Sequence, residues 1–169
     1  SSGILLMIGP PGTGKSTFLR SLILHSGKDA SMVFDEATMR SPDMLSTFYG
    51  STHRILALED ADNFLTPRES GNADLAGLLN YADGVVADPT KKIVISTNLS
   101  SVNKVDPAIL RKGRCYDIIQ FQELTPEQAS LAREAADLEP VTFEKSLVLA
   151  EALDDNQRVL TEKRSRMIG

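Results

Sequence analysis

The stretch Gly9-Pro10-Pro11-Gly12-Thr13-Gly14-Lys15-Ser16-Thr17 follows directly on the apolar run Ile4 to Ile8 and opens a helix-periodic segment. It matches G-x-x-x-x-G-K-[ST] in the strand, loop, helix setting that this motif needs. No other feature of the chain narrows its fold so far. A buried strand must feed a helix whose first turn faces a ligand. The glycines let backbone amides turn inward around phosphate oxygens, and the start of the helix adds partial positive charge. On this reading Lys15 reaches the β- and γ-phosphates of ATP, Ser16 ligates Mg²⁺, and Thr17 contacts phosphate beside it.

Short apolar runs alternate with helix-periodic segments along the rest of the chain, the pattern of a parallel sheet with helices on both faces. Strands are expected at Ile4 to Ile8, Met32 to Asp35, Ile55 to Leu58, Ile93 to Thr97 and Cys115 to Phe121. The first helix should run from Lys15 to His25 and stop at Gly27. The second takes Ser41 as N-cap and Pro42 as its first residue, ending near Gly50. A third carries Leu75, Leu78, Leu79 and Ala82 on one face and ends at Asp83-Gly84. Thr125-Pro126-Glu127-Gln128 reads as a capping box with a helix-starting proline, predicting a helix to Leu138. Another helix is expected over 142–153, followed by a charged tail, "TEKRSRMIG".

The strand "ILAL" ends on Glu59 and Asp60, with Asp62 two residues on. In a wound sheet ligands sit at the carboxyl ends of the strands, so these acids fall beside the phosphate loop. Register makes Glu59 the metal-side carboxylate, acting through water, and Asp60 the group that orients or deprotonates an attacking water. Asp62 is expected to be a surface or loop acid. Asn98 ends the next strand, "KKIVISTN", and either caps a turn or holds the attacking water and senses the γ-phosphate. Further on, "DPAILRKGR" places Arg111 and Arg114 three apart, on or beside a short helix started by Asp106-Pro107.

These motifs, in this order and near this spacing, resemble the AAA family of ring-forming ATPases. The likeness is closest to the subfamily of the mitochondrial AAA protein that assembles respiratory complex III, which also has an "LED" strand end and a G-L-L-N-x-x-D-G-V helix, here Gly77 to Val85. The resemblance implies a P-loop NTPase fold: a five-stranded parallel sheet in the order 5-1-4-3-2, flanked by helices. It divides the chain into a nucleotide-binding α/β domain over 1–122 and a short helical lid and tail over 123–169. It also implies a homo-oligomeric ring, a hexamer or heptamer, in which Arg111 and Arg114 act in trans as arginine fingers on the neighbour's site. An isolated protomer should then hydrolyse poorly.

Many such unfoldases thread peptide past an aromatic in the loop after the second strand; here that loop, "DEATMRS", has none beyond Phe34 in the strand, which speaks against such threading. "FYG" at 48–50 has the composition but reads as core plus a helix cap, while Met39 and Arg40 are weaker candidates for pore contacts. Arg133 is at best a second sensor, and otherwise a solvated helix charge. The expected function is Mg²⁺-dependent ATP hydrolysis coupled to remodelling or translocation of a macromolecule, protein rather than nucleic acid. Asp60 is one methylene shorter than the glutamate usual at that position, which keeps open a nucleotide-gated assembly scaffold with little turnover. A small-molecule kinase is the weaker third reading, since no lid with phosphate-transferring arginines is visible.

Composition enters mainly as exclusion. The chain has 169 residues and a formal charge of -5, so there is no overall field for nucleic acid or an anionic membrane. No apolar run nears the roughly 18 residues of a spanning helix, and no signal peptide is visible. With Cys115 as its single cysteine, the chain fits a reducing compartment and is expected to be soluble and cytoplasmic. Because it starts without Met almost on the first strand, upstream residues are expected, including an adenine-contacting segment and an anchor or substrate domain.

Overall fold

A computed structural model describes residues 3–83 and 88–154 of the chain. Five strands, β1 (Ile4–Ile8), β2 (Ala30–Val33), β3 (Ile55–Leu58), β4 (Lys92–Thr97) and β5 (Cys115–Gln120), form one parallel sheet in the order β2-β3-β4-β1-β5. This is the expected order read from the opposite edge. Every residue of β3 is buried, and so are five of the six in β4. A parallel sheet covered on both faces needs such runs rather than alternation.

Helices α1 (Lys15–Ser26), α2 (Glu36–Met39), α3 (Asp43–Gly50), α4 (Asp62–Leu65) and α5 (Ala73–Asp83) connect or follow the strands. Leu6, Ile8, Leu56, Leu58, Ile93 and Ile95 join Phe48 of α3, Phe64 and Leu65 of α4, and Leu75, Leu78 and Leu79 of α5 in one core. The intervening strand residues Met7, Ala57 and Val94 are buried as well.

Some sequence expectations shift. The second strand ends at Val33, two residues early, because Asp35 leaves the ladder to cap α2, its Oδ1 accepting the Thr38 N–H at 2.8 Å. Met39 lies in the core, and Arg40 pairs with Glu36 and with Asp74, so neither is a free side chain for pore contacts. The stretch after Asp106-Pro107 forms successive turns and no regular helix, with Asp106 Oδ1 accepting the Ala108 N–H. Gly84 and Val85, and the tail after Asp154, lie outside the described residues.

Phe48 is in the core as expected, but Gly50 does not provide a left-handed cap. The carbonyls at the end of α3 are met instead by Lys91, 6 % exposed, which donates to Phe48 O, Ser51 O and His53 O at 2.8 Å each. Its ammonium also stands 4.6 Å from the Phe48 ring centroid. Lys91→Met removes this donor from Ser51 O and His53 O, while Phe48 O keeps the Ser51 N–H and hydroxyl, and should cost about 2–4 kcal/mol. A melting temperature lowered by roughly 5–15 °C would be the sign of it; an unchanged one would mean that water satisfies the cage equally well.

The described residues group into two compact units, one drawn from Ser1–Gly9 with Lys15–Gln120 and the other from Pro10–Gly14 with Phe121–Gly169. The second contains α6 (Pro126–Ala135), the single turn α7 (Leu149–Ala152) and an antiparallel bridge between Leu124 and Leu147. The capping box at Thr125 and Gln128 forms as read from the sequence. The helix expected over 142–153 shortens to α7, because Leu147 is drawn into the bridge and Val148 is extended. Ala129, Leu147 and Ala152 make a small core of their own. Arg133 is buried rather than solvated: it donates to Glu139 O and Ala152 O at 2.8 Å and to Asp154 O at 3.2 Å.

Candidate active site at the strand ends

Parallel pairing sets Ile8 beside Thr97 and Leu58 beside Ile95. The residues that follow these strands, Gly9, Glu59-Asp60 and Asn98, therefore emerge together at the carboxyl ends of the three central strands. Side-chain alternation puts Glu59 with Ile55 and Ala57, on the face opposite Leu56 and Leu58. There Ser16, in the first turn of α1, donates its hydroxyl to Glu59 Oε2 at 2.6 Å.

Glu59 is 3 % exposed, and among the described residues its Oε1 is the one buried side-chain nitrogen or oxygen with no hydrogen-bond partner. An unsatisfied carboxylate oxygen in such a place is costly. Beside a serine hydroxyl it makes an all-oxygen donor set, the chemistry that suits a hard cation such as Mg²⁺. The donors fit that ion. No cluster of three or more His, Cys, Asp or Glu side chains occurs among the described residues, so the protein supplies few ligands and nucleotide and water would supply the rest.

Asp60 adopts a left-handed backbone conformation, φ 55°. Asp tolerates this better than most residues, though it costs of order 1 kcal/mol. The turn is held by Ser96, whose Oγ accepts the Asp60 N–H at 3.3 Å and whose carbonyl accepts the Ala61 N–H at 2.9 Å. The exposed Asp60 carboxylate thus swings towards the end of β4, where Oδ1 accepts from Asn98 Nδ2 at 3.0 Å.

Asn98 also binds the buried Lys15. The Lys15 ammonium donates to Asn98 Oδ1 at 2.9 Å and to Gly9 O at 2.7 Å. One amide thereby links the cation of the phosphate loop to Asp60. Burial pushes the Lys15 pKa below the usual lysine value, and the negative charges of Asp60 and Asp62 pull it back up.

Asp62 is the residue the sequence reading missed. It is not a loop acid: it opens α4 and its carboxylate faces the end of β4. The available signal was the polar triplet Ser96-Thr97-Asn98 ending an otherwise apolar strand, which calls for an internal acceptor. Arg111 is exposed, and half-buried Arg114 donates Nη1 to Ala108 O at 2.9 Å.

The loop residues Pro10–Gly14 belong to the second unit. Thr13 Oγ1 donates to Pro10 O at 2.8 Å, and Gly12 O accepts the Ala150 N–H at 2.8 Å. Gly12 and Gly14 have φ of 80° and 94°. A Cβ on Gly14 would come within 2.9 Å of the Leu149 side chain, so both backbone conformation and packing require glycine there. Thr17 is exposed on the first turn of α1.

Known proteins resemble this chain in sequence. A sequence model of the ATPase family associated with various cellular activities (AAA) matches residues 5–123. The probable mitochondrial chaperone bcs1 of Schizosaccharomyces pombe is 33 % identical over 132 residues, covering 73 % of this chain and 29 % of that protein. Mitochondrial chaperone BCS1 of Danio rerio is 30 % identical over 130 residues, covering 69 % of this chain and 30 % of that protein. An AAA-ATPase of Arabidopsis thaliana is 29 % identical over 133 residues, covering 72 % and 30 %. The chain thus spans under a third of the length of these relatives. Among the described residues, no helix is long and apolar enough to cross a membrane.

Proposed function

The chain belongs to the AAA family of ATPases, and on that premise we propose that it is a Mg²⁺-dependent ATPase module working in a homo-oligomeric ring. The observation that carries the reading is the meeting of Lys15, Ser16, Glu59, Asp60 and Asn98 at the ends of β1, β3 and β4. In this proposal the loop from Gly9 to Thr17 cradles the phosphates, and Ser16 with Glu59 holds Mg²⁺. The ion, when bound, neutralises charge on the β- and γ-phosphate oxygens.

Lys15 exchanges Asn98 and Gly9 O for phosphate oxygen as the nucleotide arrives. Asn98, released on that side, keeps its hydrogen bond to Asp60 and gains a ligand, the attacking water or the γ-phosphate. Asp60 orients that water and takes its proton while the oxygen attacks the γ-phosphorus and ADP leaves. Arg111 and Arg114 complete a neighbour's site from across a subunit boundary, which fits the exposure of Arg111.

The work coupled to hydrolysis is remodelling or moving a macromolecule. The relatives' names, mitochondrial chaperones, favour a protein substrate over nucleic acid. A nucleotide-gated scaffold is the second reading, favoured by the short Asp60 side chain already engaged by Asn98. Steady-state ATPase measured across a protein concentration series separates the two. Turnover per protomer should rise steeply as the protein assembles, whereas tight ATP binding with flat, near-zero turnover would establish the scaffold.

A further inference from the structure

Asn98 is the hinge of the site, and its own position has a specific cause. One oxygen of Asp62, Oδ1, accepts two short hydrogen bonds: from the Thr97 hydroxyl at 2.6 Å and from the Asn98 backbone N–H at 2.7 Å. Thr97 is fully buried, and its Oγ1 in turn accepts the Leu99 N–H at 3.2 Å. Asp62 is itself fixed by α4, where its carbonyl accepts the Thr66 N–H at 3.1 Å and the Thr66 hydroxyl at 2.7 Å. Residues 97–99, the turn out of β4, are therefore pinned at three consecutive positions to one carboxylate or to the hydroxyl it holds.

We propose that Asp62 is the positioning residue of this site: it anchors the backbone of Asn98 so that the amide reaches Lys15 on one side and Asp60 on the other. Its carboxylate accepts from Thr97 and from the Asn98 backbone, so Asp62 acts through Asn98. Hydrogen bonds to an ionised acceptor are the strong ones, about twice a neutral pair, and suit the task of holding a strand terminus still. The need is geometric. Displacing a reacting or orienting group by about 1 Å can cost on the order of a hundredfold in rate. The same carboxylate adds negative charge near Lys15.

The inference deepens the ATPase reading and rests on it for its kinetic consequence only. Asp62→Ala should lower kcat by about 10- to 100-fold with KM for ATP changed less than about twofold. Asp62→Asn keeps an oxygen in the accepting position and should recover turnover to within roughly threefold of the parent. In an Asn98→Ala background, Asp62→Ala should add little further loss, because the two act in series. A merely structural role would instead lower affinity, turnover and melting temperature together, would not be rescued by Asn, and would multiply with Asn98→Ala.

A second arm needs no hydrolysis. In the nucleotide-free ¹⁵N-labelled protein, Asp62→Ala should remove the exchange protection of the Asn98 backbone amide and shift its side-chain NH₂ resonances, and Asp62→Asn should preserve both. Unchanged Asn98 signals in Asp62→Ala overturn the proposal. A parent protein that binds ATP without turnover counts against the ATPase reading alone, and the Asn98 signals still decide the role of Asp62.

Discussion

Asp60→Asn should bind ATP as tightly as the parent and lose hydrolysis by about 10²- to 10⁴-fold, the range for removing a general base. The substitution keeps the side chain's shape and its oxygen facing Asn98 Nδ2. What disappears is the capacity to take a proton from water. Glu59→Gln is the informative partner. Its Oε2 accepts from Ser16 and its Oε1 is buried without a partner, so neutralising it should weaken Mg²⁺-dependent nucleotide binding first. Equilibrium binding of labelled ATP with and without Mg²⁺, set beside single-turnover hydrolysis, measures both. If Glu59→Gln kept binding and lost turnover while Asp60→Asn stayed active, the two carboxylates would have to exchange roles.

Arg111→Ala should likewise keep ATP binding, yet lower turnover of the assembled protein by about 10³- to 10⁵-fold, the range for removing an arginine finger. Arg111 is exposed, so the folded protomer should be nearly unaffected in stability. Half-buried Arg114 donates to Ala108 O, so Arg114→Ala carries an additional structural cost that complicates its reading. Mixing supplies the sharper test. Neither Arg111→Ala nor Asp60→Asn should hydrolyse alone, but mixed rings should regain part of the activity. An Asp60→Asn protomer can lend its arginine to the intact site of an Arg111→Ala neighbour. Absence of any recovery in confirmed mixed assemblies, or full turnover by a monomer, would refute action in trans.

The phosphate loop, the capping box at Thr125 and the apolar strands were legible because each is a local code. A glycine pattern, an N-cap hydroxyl or a run of buried residues acts within a few positions of itself. The five strands were placed to within two residues for this reason, and the missed boundary at β2 is also local, since Asp35 could serve equally as strand end or helix cap. The roles of Asp62 and Arg133 were not legible. A lone acid two residues past a strand, or a lone arginine on a helix, is usually solvated. What makes Asp62 internal is the pairing of β3 with β4, and what buries Arg133 is the return of residues 139–154 onto α6.

By itself, the sequence determined that a strand would deliver a glycine-rich loop into a helix and that acid and amide would end two other strands. Those are statements about single segments, each bounded by its own hydrophobic pattern and turn chemistry. Tertiary structure alone decided which of the polar ends meet. Parallel pairing placed Leu58 level with Ile95 and Ile8 level with Thr97, and a left-handed turn at Asp60 brought its carboxylate to Asn98. A one-residue slip in that register would send the same side chains to the opposite face, because strand side chains alternate with a period of two. The loop could be read from nine letters; the Lys15, Asn98, Asp60 chain and the Asp62 anchor behind it required the sheet.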